Sequence, residues 1–186
     1  MLTTKIDAGS TFPDVTVKQM DGSESSLIVG PPKNGEPDTR GGRWTIVVFY
    51  RGKHCPICTR FLKDLSSAQN EFKALNMDIV AVSGDSNEQL QEHVEDSLSE
   101  VSFPLFCELS VEDMKRLGLY ISEPVSDTET DHKFSEPALV VINPDSQVQL
   151  VEIASGPFMR PNIGLLLKGL KYTVENNYPI RGTVTE

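Results

Sequence analysis

Apolar positions along this chain follow two different periods, and the places where one period gives way to the other mark the elements. From Thr45 to Tyr50 the residues form an unbroken, largely β-branched apolar run, which predicts a fully buried strand ending at Gly52, where the backbone is free to turn. The period then changes. Ile57, Phe61, Leu62, Leu65, Phe72 and Leu75 recur at helical spacing, predicting one apolar face over a helix of roughly 18–20 residues packed on that strand. Pro56 suits the first helical position, because the N–H it lacks has no intrahelical partner there, so Cys55 falls at or beside the N-cap.

Further along, Met77 to Ser83 is a second apolar run, a buried strand stopping at Gly84-Asp85. Ser86-Asn-Glu-Gln89 matches a capping box, and Leu90, Val94 and Leu98 extend the helix it opens from Ser86 to Ser99. Phe103 to Cys107 reads as a short strand, and Ser110 caps a brief helix ending near Gly118. Tyr120 to Phe134 is polar and without period, which predicts an exposed loop. Ala138–Ile142, the turn Asn143-Pro-Asp-Ser146 and Val148–Ile153 then predict an antiparallel hairpin, and Pro161 a last helix with Ile163, Leu166, Leu167, Leu170 and Val174 inward. Ahead of all this, Asp21-Gly22 predicts the turn of an added hairpin, and the Gly- and Pro-rich stretch from Gly30 to Gly42 an exposed loop. The sum is one α/β domain over residues 1–186, a mixed sheet covered by helices on both faces with an N-terminal hairpin extension.

Charge narrows the partners. With 17 basic and 27 acidic residues the formal net charge is −10, which argues against nucleic acid and against anionic membranes. The one basic cluster, Arg51, Lys53, His54 and Arg60, surrounds the cysteines. No apolar run approaches the length of a membrane span and the N-terminus lacks the apolar core of a signal peptide, so a cytoplasmic location is expected. There is no glycine-rich phosphate loop, and no metal, flavin or nucleotide cofactor is expected.

Two of the three cysteines form Cys55-Pro-Ile-Cys58 at the strand-to-helix junction. A thiol at a helix N-terminus meets unpaired N–H groups and the positive end of the dipole, both favouring thiolate, and Cys58 lies one turn away, within disulfide reach. That is a compact two-electron device. A zinc site would need two more ligands, for which Cys107 and scattered histidines are poor candidates. In the redox reading Cys55 is the attacking thiolate and Cys58 the resolving thiol. His54 is weighed as a base or tuning cation beside Arg51 and Lys53, against a merely solvated turn, and Cys107 as a small buried hydrophobe.

The order of elements, together with Ala8-Gly-Ser-Thr-Phe-Pro13, Phe49-Tyr-Arg-Gly-Lys-His-Cys55-Pro-Ile-Cys58, Val80-Ala-Val-Ser-Gly-Asp85, Phe103-Pro-Leu and Ala138-Leu-Val-Val-Ile-Asn-Pro-Asp145, resembles the thioredoxin fold, and within it the peroxiredoxin-like members of the alkyl hydroperoxide reductase and thiol-specific antioxidant family. The resemblance implies a thiol-dependent oxidoreductase drawing electrons from a thioredoxin- or glutathione-type thiol, with a homodimer among the expected assemblies. It also implies a cis Pro137 facing the cysteines, with a backbone edge left to pair with a substrate chain. Arg160 resembles a site arginine only loosely and reads as a charge before the last helix. One departure matters. The family motif Pro-x-x-x-Thr/Ser-x-x-Cys, counted back from Cys55, puts Gly52 at the hydroxyl and Val48 at the proline. Gly52 supplies no side-chain donor for a departing oxygen, and Arg51, Lys53 or a backbone N–H are weaker substitutes, so thiol–disulfide exchange is the leading expectation, hydroperoxide reduction the second, and a redox-inactive binding module the third.

Overall fold

The computed structural model describes residues 6–28 and 42–184. Strands β1 (Thr16–Lys18) and β2 (Glu24–Ser26) form the expected N-terminal hairpin. Then come β3 (Trp44–Phe49), helices α1 (Pro56–Ser67) and α2 (Gln69–Ala74), β4 (Met77–Val82) and helix α3 (Asn87–His93), which continues as a π-helical turn over Val94–Leu98. The chain goes on through β5 (Leu105–Phe106), α4 (Val111–Arg116), β6 (Ile121–Ser122), β7 (Phe134–Ser135), β8 (Ala138–Ile142), β9 (Val148–Ile153) and α5 (Ile163–Glu175).

The main sheet has the order β5-β4-β3-β8-β9, with β3, β4 and β5 parallel and β8 and β9 antiparallel to their neighbours. The β-branched core strands account for this arrangement. Ile46, Val47, Val48 and Phe49 are fully buried, because alternate side chains enter separate cores on the two faces. Ile46 and Val48 pack with Phe61, Leu62, Leu65, Phe72, Leu90 and Leu170 from the helices on one side. Val47 and Phe49 pack with Phe12, Val15, Val17, Leu27 and α4 residue Met114 on the other. The mixed sheet covered on both faces therefore holds, with a single short helix and the N-terminal hairpin on the second face.

Several boundaries differ from the sequence pattern. The long helix expected from Pro56 breaks at Ala68 (φ −93°, ψ 1°). Ser67 precedes the break, and its hydroxyl donates to Lys63 O four residues back, the local hydrogen bonding that makes serine a poor helix interior, while Ser66 donates across to Glu100 O. The Ser86 capping box forms as expected, but the helix loosens into the π turn after His93. Leu90 and Leu98 are eight residues apart, a spacing that overshoots two α-helical turns, and the wider π turn takes up the excess as both enter the same core cluster as the α1 residues. The cap of α5 is Asn162, whose Oδ1 accepts from the Leu165 N–H at 3.0 Å, so Pro161 lies before the cap and not at the first helical position. The loop expected from Gly30 to Gly42 lies, apart from Gly42, outside the described residues. Among the described residues no helix is long and apolar enough to cross a membrane.

The turn joining β3 to α1 rests on Gly52 (φ +130°). A Cβ there would come within 2.9 Å of Asp85 Cγ. Gly52→Ala is expected to destabilise the fold by more than about 1 kcal/mol, from left-handed backbone strain and that clash together, read as a lower midpoint in urea denaturation at unchanged m-value. A midpoint equal to that of the parent would refute this account of the turn.

Candidate active site

Two backbone hydrogen bonds hold the turn after β3: Cys55 N–H to Gly52 O at 3.1 Å, and Lys53 N–H to Asp85 Oδ2 at 2.8 Å. They deliver Cys55 to the N-cap of α1 with Pro56 at the first helical position, as expected. Cys55 Sγ accepts from the Cys58 N–H at 3.3 Å, and the two cysteines are joined as a disulfide with their Cα atoms 5.3 Å apart. The pair is covered: Cys55 is 2% exposed and Cys58 fully buried.

The cations meant to surround Cys55 are otherwise engaged. Arg51 Nη2 lies 2.9 Å from Glu129 Oε1, its Nε lies 3.6 Å from Glu136 Oε2, and its guanidinium sits 4.5 Å from the Phe134 ring centroid. The Lys53 ammonium turns outward to Glu92 (2.7 Å) and Asp96 (3.3 Å) on the helix above. His54 is half-buried with its ring 4.6 Å from that of Phe134, and burial lowers its pKa, so it is neutral near pH 7 and adds no positive charge. Of the basic cluster, Arg51 and Lys53 are thus paired with carboxylates, and Arg60 is exposed on α1.

One cation does reach the sulfurs. Arg160, which the sequence suggested was a charge before the last helix, donates from Nη2 to Cys58 Sγ at 2.8 Å. Its Nε donates to Pro157 O at 3.1 Å, and its guanidinium stacks 4.9 Å from the Phe61 centroid. Burial pushes its pKa down to about 10, which still leaves it protonated at neutral pH. Its place on the sulfur depends on a contact across 102 positions, for which the local sequence Phe158-Met159-Arg160-Pro161 carries no signal.

Pro137 does precede a core strand at this site, but among the described residues every peptide bond is trans, so the cis expectation is corrected. The backbone edge beside it is also closed. Glu136 N–H donates to Tyr120 O at 2.8 Å and Pro137 O accepts from Ala154 N–H at 2.9 Å, because β6 and β9 border the segment on either side. Cys107 is the buried hydrophobe expected, its thiol pushed up to about 11 by burial.

Residues that the pattern did not single out complete the site. Between β6 and β7 the chain is not a plain exposed loop: it straps back over the turn through Glu129 on Arg51, Asp131 on Gln89 (2.9 Å) and His132 Nε2, 3.5 Å from Asp85 Oδ1. Asp85 is 1% exposed and also accepts from Ser83 Oγ at 3.0 Å.

This geometry sits within a chain whose residues 8–151 match the model described as the AhpC/TSA family. The chain belongs to that family. Peroxiredoxin 2 of Sulfurisphaera tokodaii is 31% identical over 109 residues, covering 56% of this chain and 51% of its own. A peroxiredoxin of Methanosarcina mazei is 23% identical over 125 residues, 62% of this chain and 54% of the other. The chain thus spans about half the length of the curated relatives it matches. Among solved structures, a cysteine-to-serine mutant of peroxiredoxin 6 from Arenicola marina aligns with TM-score 0.73 at 20% identity, covering 93% of this chain and 76% of the other. A peroxiredoxin-like protein from Aquifex aeolicus aligns with TM-score 0.64 at 16% identity, covering 90% and 87%. At these identities the structural likeness is one of fold, and it bears out the thioredoxin-like architecture.

The strap carries a pH dependence of known sign. Asp85, then Asp131, raises the His132 pKa above the usual 6.5. The stability this adds is complete below about pH 6.5 and lost as pH rises through the raised folded value. His132→Asn is therefore expected to be less stable than the parent at pH 6 by up to about 1 kcal/mol, with the gap closing by pH 9 in paired thermal melts. A gap that stays constant across that range would sink the assignment.

Proposed function

We propose that this chain is a thiol-dependent reductase of hydroperoxides, cycling its Cys55–Cys58 pair between dithiol and disulfide. The observation that carries this reading is the Arg160 guanidinium on the sulfur pair. Peroxide reduction needs a fixed donor for the oxygen that departs with developing negative charge, and a half-buried guanidinium held by Pro157 O and Phe61 is such a donor. The preference for disulfide exchange rested on the lack of one. Two further observations point the same way. The backbone edge at Pro137 that would pair with a protein substrate is occupied, and sulfurs with 2% and 0% exposure favour a small oxidant over a protein disulfide.

Electrons balance with one peroxide and two external thiols: dithiol plus ROOH gives disulfide, ROH and water, and two equivalents of a thioredoxin- or glutathione-type thiol restore the dithiol. In the reducing cytoplasm expected for the chain, such thiols are at hand. A redox-inactive binding module gains no support, since its cysteines would have no reason to meet a half-buried guanidinium.

Stopped-flow oxidation of the reduced protein tests the reading. Hydrogen peroxide is expected to react with a second-order constant of about 10⁴ M⁻¹s⁻¹ or more, faster than a small disulfide under the same conditions. The opposite order returns the chain to thiol–disulfide exchange.

A further inference from the structure

We propose that His93 is a positioning residue for the cysteine pair: through the Thr59 hydroxyl it fastens the end of α3 to the first turn of α1, and it does so only while its imidazole is neutral, so that acid uncovers Cys55. This governs access to the disulfide whichever oxidant the pair serves.

His93 is the last residue of α3 before the π turn and is 2% exposed. Its Nε2 lies 2.8 Å from Thr59 Oγ1. That hydroxyl reaches Cys55 O at 3.3 Å, where the Thr59 N–H also donates at 3.1 Å. A hydroxyl has one hydrogen to give. With it on Cys55 O, His93 donates from Nε2, and a single chain of hydrogen bonds runs from the imidazole to the Cys55 carbonyl. The tautomer assigned in this way leaves a bare lone pair on Nδ1, which is buried with no partner among the described residues.

Two ion pairs join the same elements. The Lys53 ammonium reaches Glu92 at 2.7 Å and Asp96 at 3.3 Å, but these carboxylates are 62% and 65% exposed, and exposed pairs contribute little. The buried hydrogen bond is the firmer hold, because breaking it strands a polar group away from water. Leu90 and Leu98, before and after His93, belong to the same core cluster as Cys55 and Cys58, so the end of α3 and the cysteines share one cover.

Protonation puts a hydrogen on Nδ1, where nothing accepts it, and a full charge where there is almost no water. Asp85 beyond β4 and Asp96 in the π turn favour that charge, while Lys53 and His54 in the turn before α1 oppose it. The Tyr50 ring of β3, 6.1 Å away, is kept un-ionised by burial. Burial is also the largest influence on His93 and lowers its pKa below the usual 6.5. The closed form is therefore fully favoured above about pH 6.5 and loses ground as pH falls towards the lowered value, since an opened imidazole binds the proton more readily. The π turn beginning at Val94 is where the helix is already loosened. His54, lowered by burial, works in the same direction, whereas His132 is raised by Asp85 and tightens the strap in acid. The effect of His93 is therefore isolated by substitution at that position.

The test follows reduction of the Cys55–Cys58 disulfide by uncharged tris(hydroxypropyl)phosphine, read as free thiol, in the parent, His93→Gln, His93→Leu and Thr59→Val. Glutamine keeps a donor near the Nε2 position and does not titrate. At pH 8 the parent and His93→Gln are expected to react alike, and His93→Leu and Thr59→Val about fivefold faster. Between pH 8 and pH 5 the parent's rate divided by that of His93→Gln is expected to rise about threefold or more. A ratio that stays flat, or a His93→Gln protein as fast as His93→Leu at pH 8, overturns the proposal. Should the His93 variants not fold, amide exchange of Cys58 and Thr59 in the parent decides. Corrected for intrinsic rates and set against β8, their protection is expected to fall between pH 8 and pH 5, and unchanged protection refutes the role of His93.

Discussion

The site depends on one buried carboxylate. Asp85 follows β4, is 1% exposed, and accepts from Ser83 Oγ and the Lys53 N–H with His132 alongside. An ion taken out of water costs several kcal/mol unless such partners replace its hydration, so the turn and the strap are the conditions under which Asp85 can be buried at all. Reciprocally, Asp85 decides where the chain turns. It pulls the Lys53 N–H inward, leaves no volume for a side chain at Gly52, and so fixes the residue at which α1 begins. Cys55 falls at the N-cap two residues after a Lys53 N–H that a carboxylate just beyond the neighbouring parallel strand holds in place.

The distribution of charge follows a related constraint. On a chain with ten more acidic than basic charges, most cations among the described residues find carboxylates, and Arg51 and Lys53 beside the cysteines are no exception. Arg51 and Lys53 are each bracketed by two acidic residues. Arg160 has no carboxylate in contact among the described residues: Glu136 and Glu152 act on it only from further off, and its direct contacts are a carbonyl, an aromatic face and a sulfur. Burial without a carboxylate in contact is what leaves a guanidinium able to act on a sulfur, and the depression of its pKa to about 10 is the cost of that position.

What the sequence made legible was whatever is decided locally. Runs such as Thr45–Tyr50 and Ala138–Ile142 announce buried strands because β-branched residues pack well there, and Ser86, Gln89, Cys55 and Pro56 announce helix starts because a cap spans only four residues. The break at Ala68 and the π turn after His93 adjust one helix to another and leave little trace in a hydrophobic period. Arg160 was the larger loss. It meets Cys58 across 102 positions of sequence, and nothing near it states that β9 and the following segment return to the α1 terminus. The strap was missed for the same reason: Glu129 and His132 look like solvated charge until the turn they cover is in place.

Placing both thiols in a single helical turn has a dynamic consequence. When the two sulfurs that must bond lie far apart in sequence, the chain has to bring them together, and part of the fold must open to do so. Here the Cα atoms stand 5.3 Å apart within one element, inside the range that a disulfide spans without backbone displacement. The loop to be closed is as short as a helix allows, so the second thiol is present at high effective concentration. The disulfide can therefore form and open beneath an intact sheet, with Asp85 holding the turn and Arg160 in contact with Cys58 Sγ. Access, not rearrangement, becomes the limiting requirement at a pair of which Cys55 is 2% exposed and Cys58 fully buried.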